Sequence, residues 1–422
     1  MAETSNLLRM LDTIQSQVTA IHKYLLESGQ PEPRFDASAP NIDYTGVEEV
    51  RAATLDNLLH LRDLLSTPRE ILQYHCETDF VSRHALDFLR IYDIVPVDET
   101  RTYDQIAVQT EPRIPTKTVR RILRHAITQR IFCEPQPGIV AHTSVSRLIA
   151  EDVTIRDYYG LKCQDVWPAA TRVVDALSRW PHLTGQEHTG YVLVHGKPRW
   201  EMLAEDPARQ AKYDNAMRAF SNDRTFSTAE VVDGFDWEAL RKATIVDVGG
   251  GIGTFSKSLA EAFPLLTLIV QDKADVVANG SAEDPEAHPR VSWMAHDFFT
   301  TRPVKGADMC FFRRVFMEWE DERAIQIIRA LTPAMKRGSR LLILDFYVPS
   351  PGTCPLWQER RFRATDMTAM AVANGAQREL DEWQVLIEAA GPGFRFRGVR
   401  PIPASELVFI EAEWAGIEDT VG

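Results

Sequence analysis

The chain has 422 residues, 44% hydrophobic and 25% charged, with a formal net charge of −13. That length allows two or three domains and a substantial core. The acidic balance argues against a general binder of nucleic acid or anionic membrane, because phosphates demand local positive charge. Five cysteines (Cys76, Cys133, Cys163, Cys310, Cys354) are scattered, with no CxxC or Cys/His cluster. This argues against zinc and against a disulfide framework, and for a reduced, cytoplasmic setting. The start, Met1-Ala-Glu-Thr-Ser-Asn, lacks the basic-then-apolar order of a signal peptide. No apolar run is long enough to span a bilayer.

Residues 5–28 carry Leu7, Leu11, Ile14, Val18, Ile21 and Leu25 at alternating spacings of four and three, which makes one apolar seam on a helix. The seam serves either its own domain or a second subunit. A loop rich in proline and polar residues follows over 30–46. From Val47 to Ala150 the pattern is mostly helical. Thr116–Phe132 reads as an amphipathic helix with a polar start, and Pro135-Gln-Pro-Gly138 turns the chain after it. Helices closed by a short hairpin predict a winged-helix-like module over 1–150. Its Arg-rich helix has the composition of a DNA reader, but the acidic chain and the enzyme-like second half favour a structural or dimer-forming role. Residues 151–236 predict a helical, aromatic-rich connector. There Tyr213, Met217 and Phe220 share a side and could wall a substrate pocket.

From 237 to 422 the period changes. Apolar runs at Thr244–Val248, Leu266–Gln271, Met309–Phe312, Leu341–Leu344 and Leu407–Glu413 predict buried strands, with helices at Thr254–Phe263 and Asp321–Met335 between them. Strand–helix alternation predicts an α/β fold with a doubly wound sheet.

Asp247 ends the first of these strands, and Gly249, Gly250, Gly251 and Gly253 form the turn into the next helix. Glycines suit a backbone that a ligand approaches closely and that needs unusual φ. The helix start adds free N–H groups and a positive dipole end. A glycine-rich turn alone is a weak signal; a strand before it and a helix after it strengthen it. Asp272 follows the second strand, where a carboxylate normally holds ribose hydroxyls. His296-Asp297-Phe298-Phe299 ends a third, placing Asp297 and Phe298 beside an adenine.

With these motifs the chain resembles the plant caffeate-type and fungal secondary-metabolite O-methyltransferases, class I enzymes dependent on S-adenosyl-L-methionine (SAM). The likeness covers nearly the whole chain. It includes Arg120-Arg-Ile-Leu-Arg-His-Ala126, Ala141-His-Thr143, the glycine loop, Glu318-Trp-Glu-Asp-Glu322 and Asn374-Gly-Ala-Gln-Arg-Glu-Leu-Asp-Glu-Trp383. The resemblance implies a Rossmann-like catalytic domain behind a helical dimerisation domain. It places Asp247 and the glycines at the methionine part of SAM or S-adenosyl-L-homocysteine (SAH), Asp272 at the ribose, and Asp297 with Phe298 at the adenine. Arg313 takes the place of a basic residue near the cofactor. It also implies an intertwined homodimer, which assigns the Leu7–Leu25 seam to a subunit interface, and an aromatic or polyketide-like small molecule as substrate.

At the reaction centre the chain departs from that pattern. The family's general base is a His followed by an acid and Trp, suited to proton removal by a pKa near neutral. Here Phe316-Met317-Glu318-Trp319 puts Met317 at the His position. The two glutamates that flank the His correspond to Asp345, one methylene shorter, and Gln377, which has no charge. Three readings follow. The first is methyl transfer to an acidic phenol, enol or pyridone, with proximity supplying rate and Glu318 or His125 taking the proton. The second, favoured by three changes in one site, is a repurposed SAM-dependent cyclase or pericyclase, as in some fungal members of this branch, using the sulfonium as a fixed charge. The third is a non-catalytic SAM-binding or winged-helix regulatory protein. Further pocket candidates are Arg313 and Arg314, which adjacency points in different directions, and Asp366, Met367, Met370 and Asn374 at helical spacing. Of these, Asp366, Met370 and Asn374 share one face.

Overall fold

Five runs rich in β-branched and large apolar residues pair into the parallel part of one sheet. In the computed structural model, which describes residues 5–73, 78–222, 228–282, 289–402, 405 and 407–416, they are β1 (Ala243–Val248), β2 (Leu266–Asp272), β3 (Val291–Ala295), β4 (Met309–Arg313) and β5 (Arg340–Phe346). Two more strands, β6 (Phe394–Pro401) and β7 (Leu407–Trp414), complete the order β3-β2-β1-β4-β5-β7-β6. β7 runs antiparallel to both β5 and β6. Cys76 lies outside the described residues.

Successive side chains point to opposite faces of a strand, and each face of this sheet has its own core. Ile245, Phe311, Leu342 and Leu344 join Trp237, Phe255 and Leu259 on one side. Val246, Val248, Phe312 and Ile343 join Ile327, Ile328, Trp383 and Ile387 on the other. Each fully buried aliphatic or aromatic side chain contributes about 1.5–3 kcal/mol. Near-continuous apolar runs are what a sheet covered on both faces requires.

The sheet belongs to a unit made of Arg172–Arg199, Phe220–Thr353 and Phe362–Gly422. A second unit comprises Met1–Thr171, Trp200–Ala219 and Cys354–Arg361. The expected connector over 151–236 is thus divided between the two. The N-terminal unit is mainly helical. It carries a small antiparallel sheet of Arg101–Thr102, Ile139–Ala141 and Cys133–Gln136. The hairpin turns at Gly138, whose φ of 85° is cheap only for glycine. The helix expected over Thr116–Phe132 stops at Thr128, because Arg130 and Phe132 both take positive φ. The helix expected over Asp321–Met335 likewise ends at Arg329, and a 3₁₀ turn holding Pro333 follows at Thr332–Ala334.

Candidate active site

The loop after β1 is shaped by close approaches. A Cβ on Gly250 would stand 2.6 Å from the Asp247 carboxyl carbon, and one on Gly249 2.9 Å from Val315. Gly249, Gly251 and Gly253 take φ of 71°, 60° and 81°. The Gly249 N–H donates to Gln271 O at 2.7 Å. The Gly251 N–H donates to Asp272 Oδ2 at 2.8 Å, and Lys273 N–H to Asp272 Oδ1 at 2.8 Å.

Asp247 is buried. The Ser256 hydroxyl donates to its Oδ2 at 2.6 Å, while Oδ1 has no hydrogen-bond partner among the described residues. Burial pushes this carboxyl up to about 6, against Ser256 and Arg313, which favour its charge; Asp272 adds to the rise. Burial also raises the Asp272 carboxyl. A buried acid with one open oxygen, beside a loop bare of side chains, fits a ligand carrying positive charge next to a ribose. The residues present therefore fit SAM.

Arg313 and Arg314 lie over different rings. The Arg313 guanidinium lies 5.8 Å from the centre of the Phe255 ring, near Asp247; burial lowers its pKa to about 10, Arg314 adding to this and Asp247 opposing it. Arg314, at φ 55°, sets its guanidinium 5.1 Å from the Phe220 ring. Asp297 is exposed and caps its own turn, accepting from the Phe299 N–H at 3.0 Å. Phe298 is half-buried, edge-on to Trp319 at 5.9 Å.

The 3₁₀ turn Phe316–Glu318 carries the position at which the resemblance places the reaction centre. Met317 packs on the core face that holds Phe220 and Trp293. Asp345 is fully buried beneath the turn. Its Oδ2 accepts from the N–H groups of Phe316 (2.9 Å) and Met317 (3.2 Å), and its Oδ1 from Phe346 N–H (2.8 Å). Burial pushes it up to about 6, opposed by those N–H groups and by Arg378. Asp345 therefore holds backbone and does not orient a side chain. Glu318, a candidate proton acceptor by sequence, forms an ion pair with Arg199, and Gln186 donates to its backbone carbonyl at 3.1 Å. Its carboxylate is therefore already engaged by a guanidinium in this structure.

The segment 374–378 closes over the same turn. A Cβ on Gly375 would stand 2.0 Å from the Met317 carbonyl oxygen. Arg378 donates to the carbonyls of Phe316 (3.1 Å) and Trp319 (2.8 Å) and to Asp321 (2.8 Å). Gln377 is 7% exposed; its N–H donates to Asp366 Oδ1 at 2.9 Å, yet neither atom of its side-chain amide has a partner among the described residues. Leaving such a group unmatched costs about 1–3 kcal/mol.

Of the helical trio expected on one face, Met370 and Asn374 line a hollow with Leu177, Trp180, Leu183 and His188. Asp366 does not line it, because its carboxylate is spent on Gln377. Asn374 ends the helix at φ 51° and donates to Gly185 O (3.0 Å) and His188 O (3.1 Å). Met367 is exposed and does not line that hollow.

In the N-terminal unit, His125 shares its Nδ1 with the Ser82 hydroxyl at 2.9 Å, and its Nε2 lies 3.8 Å from Asp79. The ring is thus hydrogen-bonded through Nδ1, with Asp79 at ion-pair distance from Nε2. Tyr213 stacks edge-on to Trp200 at 5.5 Å and lines a polar cavity of about 310 Å³ with Arg209, Asp165 and Gln164. Met217 is half-buried on the same helix. Sequence reading missed Ser256, Arg199 and Arg378. Only Ser256 had a local signal, a hydroxyl in the first turn of the helix after the glycine loop.

Residues 179–395 match the model of the O-methyltransferase domain family, and the chain belongs to that family, whose enzymes depend on SAM. O-methyltransferase AMT9 of Alternaria alternata is 35% identical over 98% of this chain and 99% of its own length. The chlorophenol O-methyltransferase of Trichoderma longibrachiatum is 32% identical over 97% and 90%. Among solved structures, OxaC in complex with SAH and oxaline matches with TM-score 0.74 at 20% identity, covering 96% of this chain and 99% of that one. A structure titled a pericyclic reaction enzyme matches with TM-score 0.70 at 20% identity, covering 96% and 100%. At that identity the last two speak for the fold alone.

Proposed function

We propose that this enzyme binds SAM and transfers its methyl group to an oxygen that is already ionised in solution, an acidic phenol or enol of an aromatic or polyketide-like metabolite. The observation that carries the proposal is the turn at 316–318. Met317 stands at the base position, Asp345 is committed to backbone N–H groups and Glu318 to Arg199. The turn thus offers no imidazole, and its one carboxylate is already paired. A substrate that arrives as an anion needs none, and positioning alone can supply much of the rate.

When bound, SAM supplies an electrophilic methyl group on a positively charged sulfur. The chain's residues would hold it through the Asp247 carboxylate, the glycine loop and Asp272, with Arg313 nearby. Met317 would offer a thioether against a flat ring, and Arg378 would hold the turn that presents it. Full-length relatives named as O-methyltransferases support transfer over ring closure.

The second reading is a cyclase that uses the bound cation as a fixed charge. Its support is the pairing of an intact cofactor loop with a lost base. One experiment separates the two: incubation with methyl-labelled SAM and a panel of phenols and enols. Label is expected on acceptors that ionise below about pH 7 and not on ordinary phenols, whose pKa lies near 10. Equal transfer to both sets would overturn the proposal. Isomerised product without label, formed with SAM and not with SAH, would establish the cyclase. The N-terminal unit we assign to homodimer formation.

A further inference from the structure

Gln377 carries a buried side-chain amide that has no partner among the described residues. Its backbone is pinned on both sides. The Gln377 N–H is held by Asp366 at 2.9 Å, and the next residue, Arg378, by a carbonyl bonded to Val348 N–H at 3.1 Å and by a guanidinium on three acceptors across the 316–321 segment. With Gly375 packed on the Met317 carbonyl, the root of the side chain sits beside the 316–318 turn. Both amide atoms are buried and unmatched among the described residues.

A primary amide presents one acceptor and two donors in a plane. A carboxylate in that place would serve a cation; the amide calls for a neutral group that both gives and takes. We propose that Gln377 is a specificity-determining residue that pairs with the edge of a cis-lactam in the substrate, the ligand N–H donating to Oε1 and the Nε2 group donating to the ligand carbonyl. A site built this way rejects an analogue that lacks the donor, because the amide oxygen then stays buried without a partner. The inference rests on the reading of the 316–318 turn as the reaction centre.

The probes are 6-hydroxy-2-quinolinone and 6-hydroxycoumarin, which share shape and hydroxyl and differ by lactam N–H against lactone oxygen. Their affinities are measured by calorimetry on the SAH-loaded protein, for wild type, Gln377→Leu and Gln377→Met. The expected result is at least tenfold preference for the quinolinone in the wild type, lost in both variants with SAH affinity unchanged. The proposal is overturned if the wild type shows no preference, if it binds neither probe, or if the variants keep the preference. A lowered melting temperature in both variants, with the preference retained, would instead assign the amide to the fold. Failure of the wild type to bind SAH at all, read in the same titration, would count against the SAM-dependent reading and not against the lactam pairing.

Discussion

At the residue scale, two buried carboxyls should make stability depend on pH. Asp247 and Asp345 are both pushed up to about 6 by burial, from an ordinary aspartate value near 3.8. Between those values the folded chain holds protons that the unfolded chain has released. Their contribution is therefore fully present below the ordinary value and is lost as pH rises through about 6. Replacing either with Asn should flatten that part of the stability curve, read as melting temperature from pH 4 to 7. A steeper loss in the variant would refute the assignment. A bound cation favours the charged Asp247, so SAH, through its ammonium group, should bind more tightly as pH rises from about 5 to 7. Asp247→Asn should weaken SAH more than tenfold and remove this dependence. Restoring an imidazole with Met317→His should raise methylation of ordinary phenols by less than tenfold, because Asp345 is occupied and Gln377 is uncharged. Met317→His with Gln377→Glu should gain more, since a positioned base is worth about 10²–10⁴ and a carboxylate would then stand by to orient it. Equal rates for the single and double variants would show that residue 377 does not face residue 317.

Backbone geometry in single elements sets which glycines can change. Gly250→Ala drives a methyl into the Asp247 carboxylate and should weaken SAH by about a hundredfold or more. Gly251→Ala meets nothing within 4 Å and suffers only from its φ of 60°, at a cost of about 1–2 kcal/mol. Calorimetry on the two variants gives that order, or its reverse if the loop is not the cofactor cradle. This loop was legible from sequence because its signal is local: a strand, four glycines and a helix within a dozen residues. β1, β2, β4, β5 and β7 were legible for the same reason, as apolar runs. β6 was not, since its alternation of Phe394 and Phe396 with Arg395 and Arg397 reads as charged surface, although period two was there to be found. The wiring of the proposed reaction centre was illegible for another reason. Glu318 meets Arg199 across 119 residues and Arg378 meets Asp321 across 57, and no spacing rule reports such pairs.

For the whole molecule, the N-terminal helix Asn6–Glu27 divides the predicted seam in two. Ile14 and Leu25 are buried, and Gln17 bonds Asn57 of the helix Glu48–Leu65 at 3.1 Å. Leu7, Leu8, Leu11 and Val18 stay exposed, Leu8 and Leu11 by more than half. Apolar side chains repeating along one helix are costly to leave in water, and a soluble monomer rarely carries them as a contiguous patch. A second copy of the chain is the occupant consistent with the proposed dimer, because an isologous interface needs only one self-complementary patch. Sedimentation equilibrium at micromolar concentration should therefore give twice the mass of one chain. Leu8→Glu with Leu11→Glu should halve that mass and make the melting temperature independent of concentration, while the spectroscopic helix content stays the same, since neither side chain contributes to the buried side of its own helix. A wild-type chain that sediments singly at these concentrations would remove the subunit role of this helix and leave its exposed leucines to some other partner.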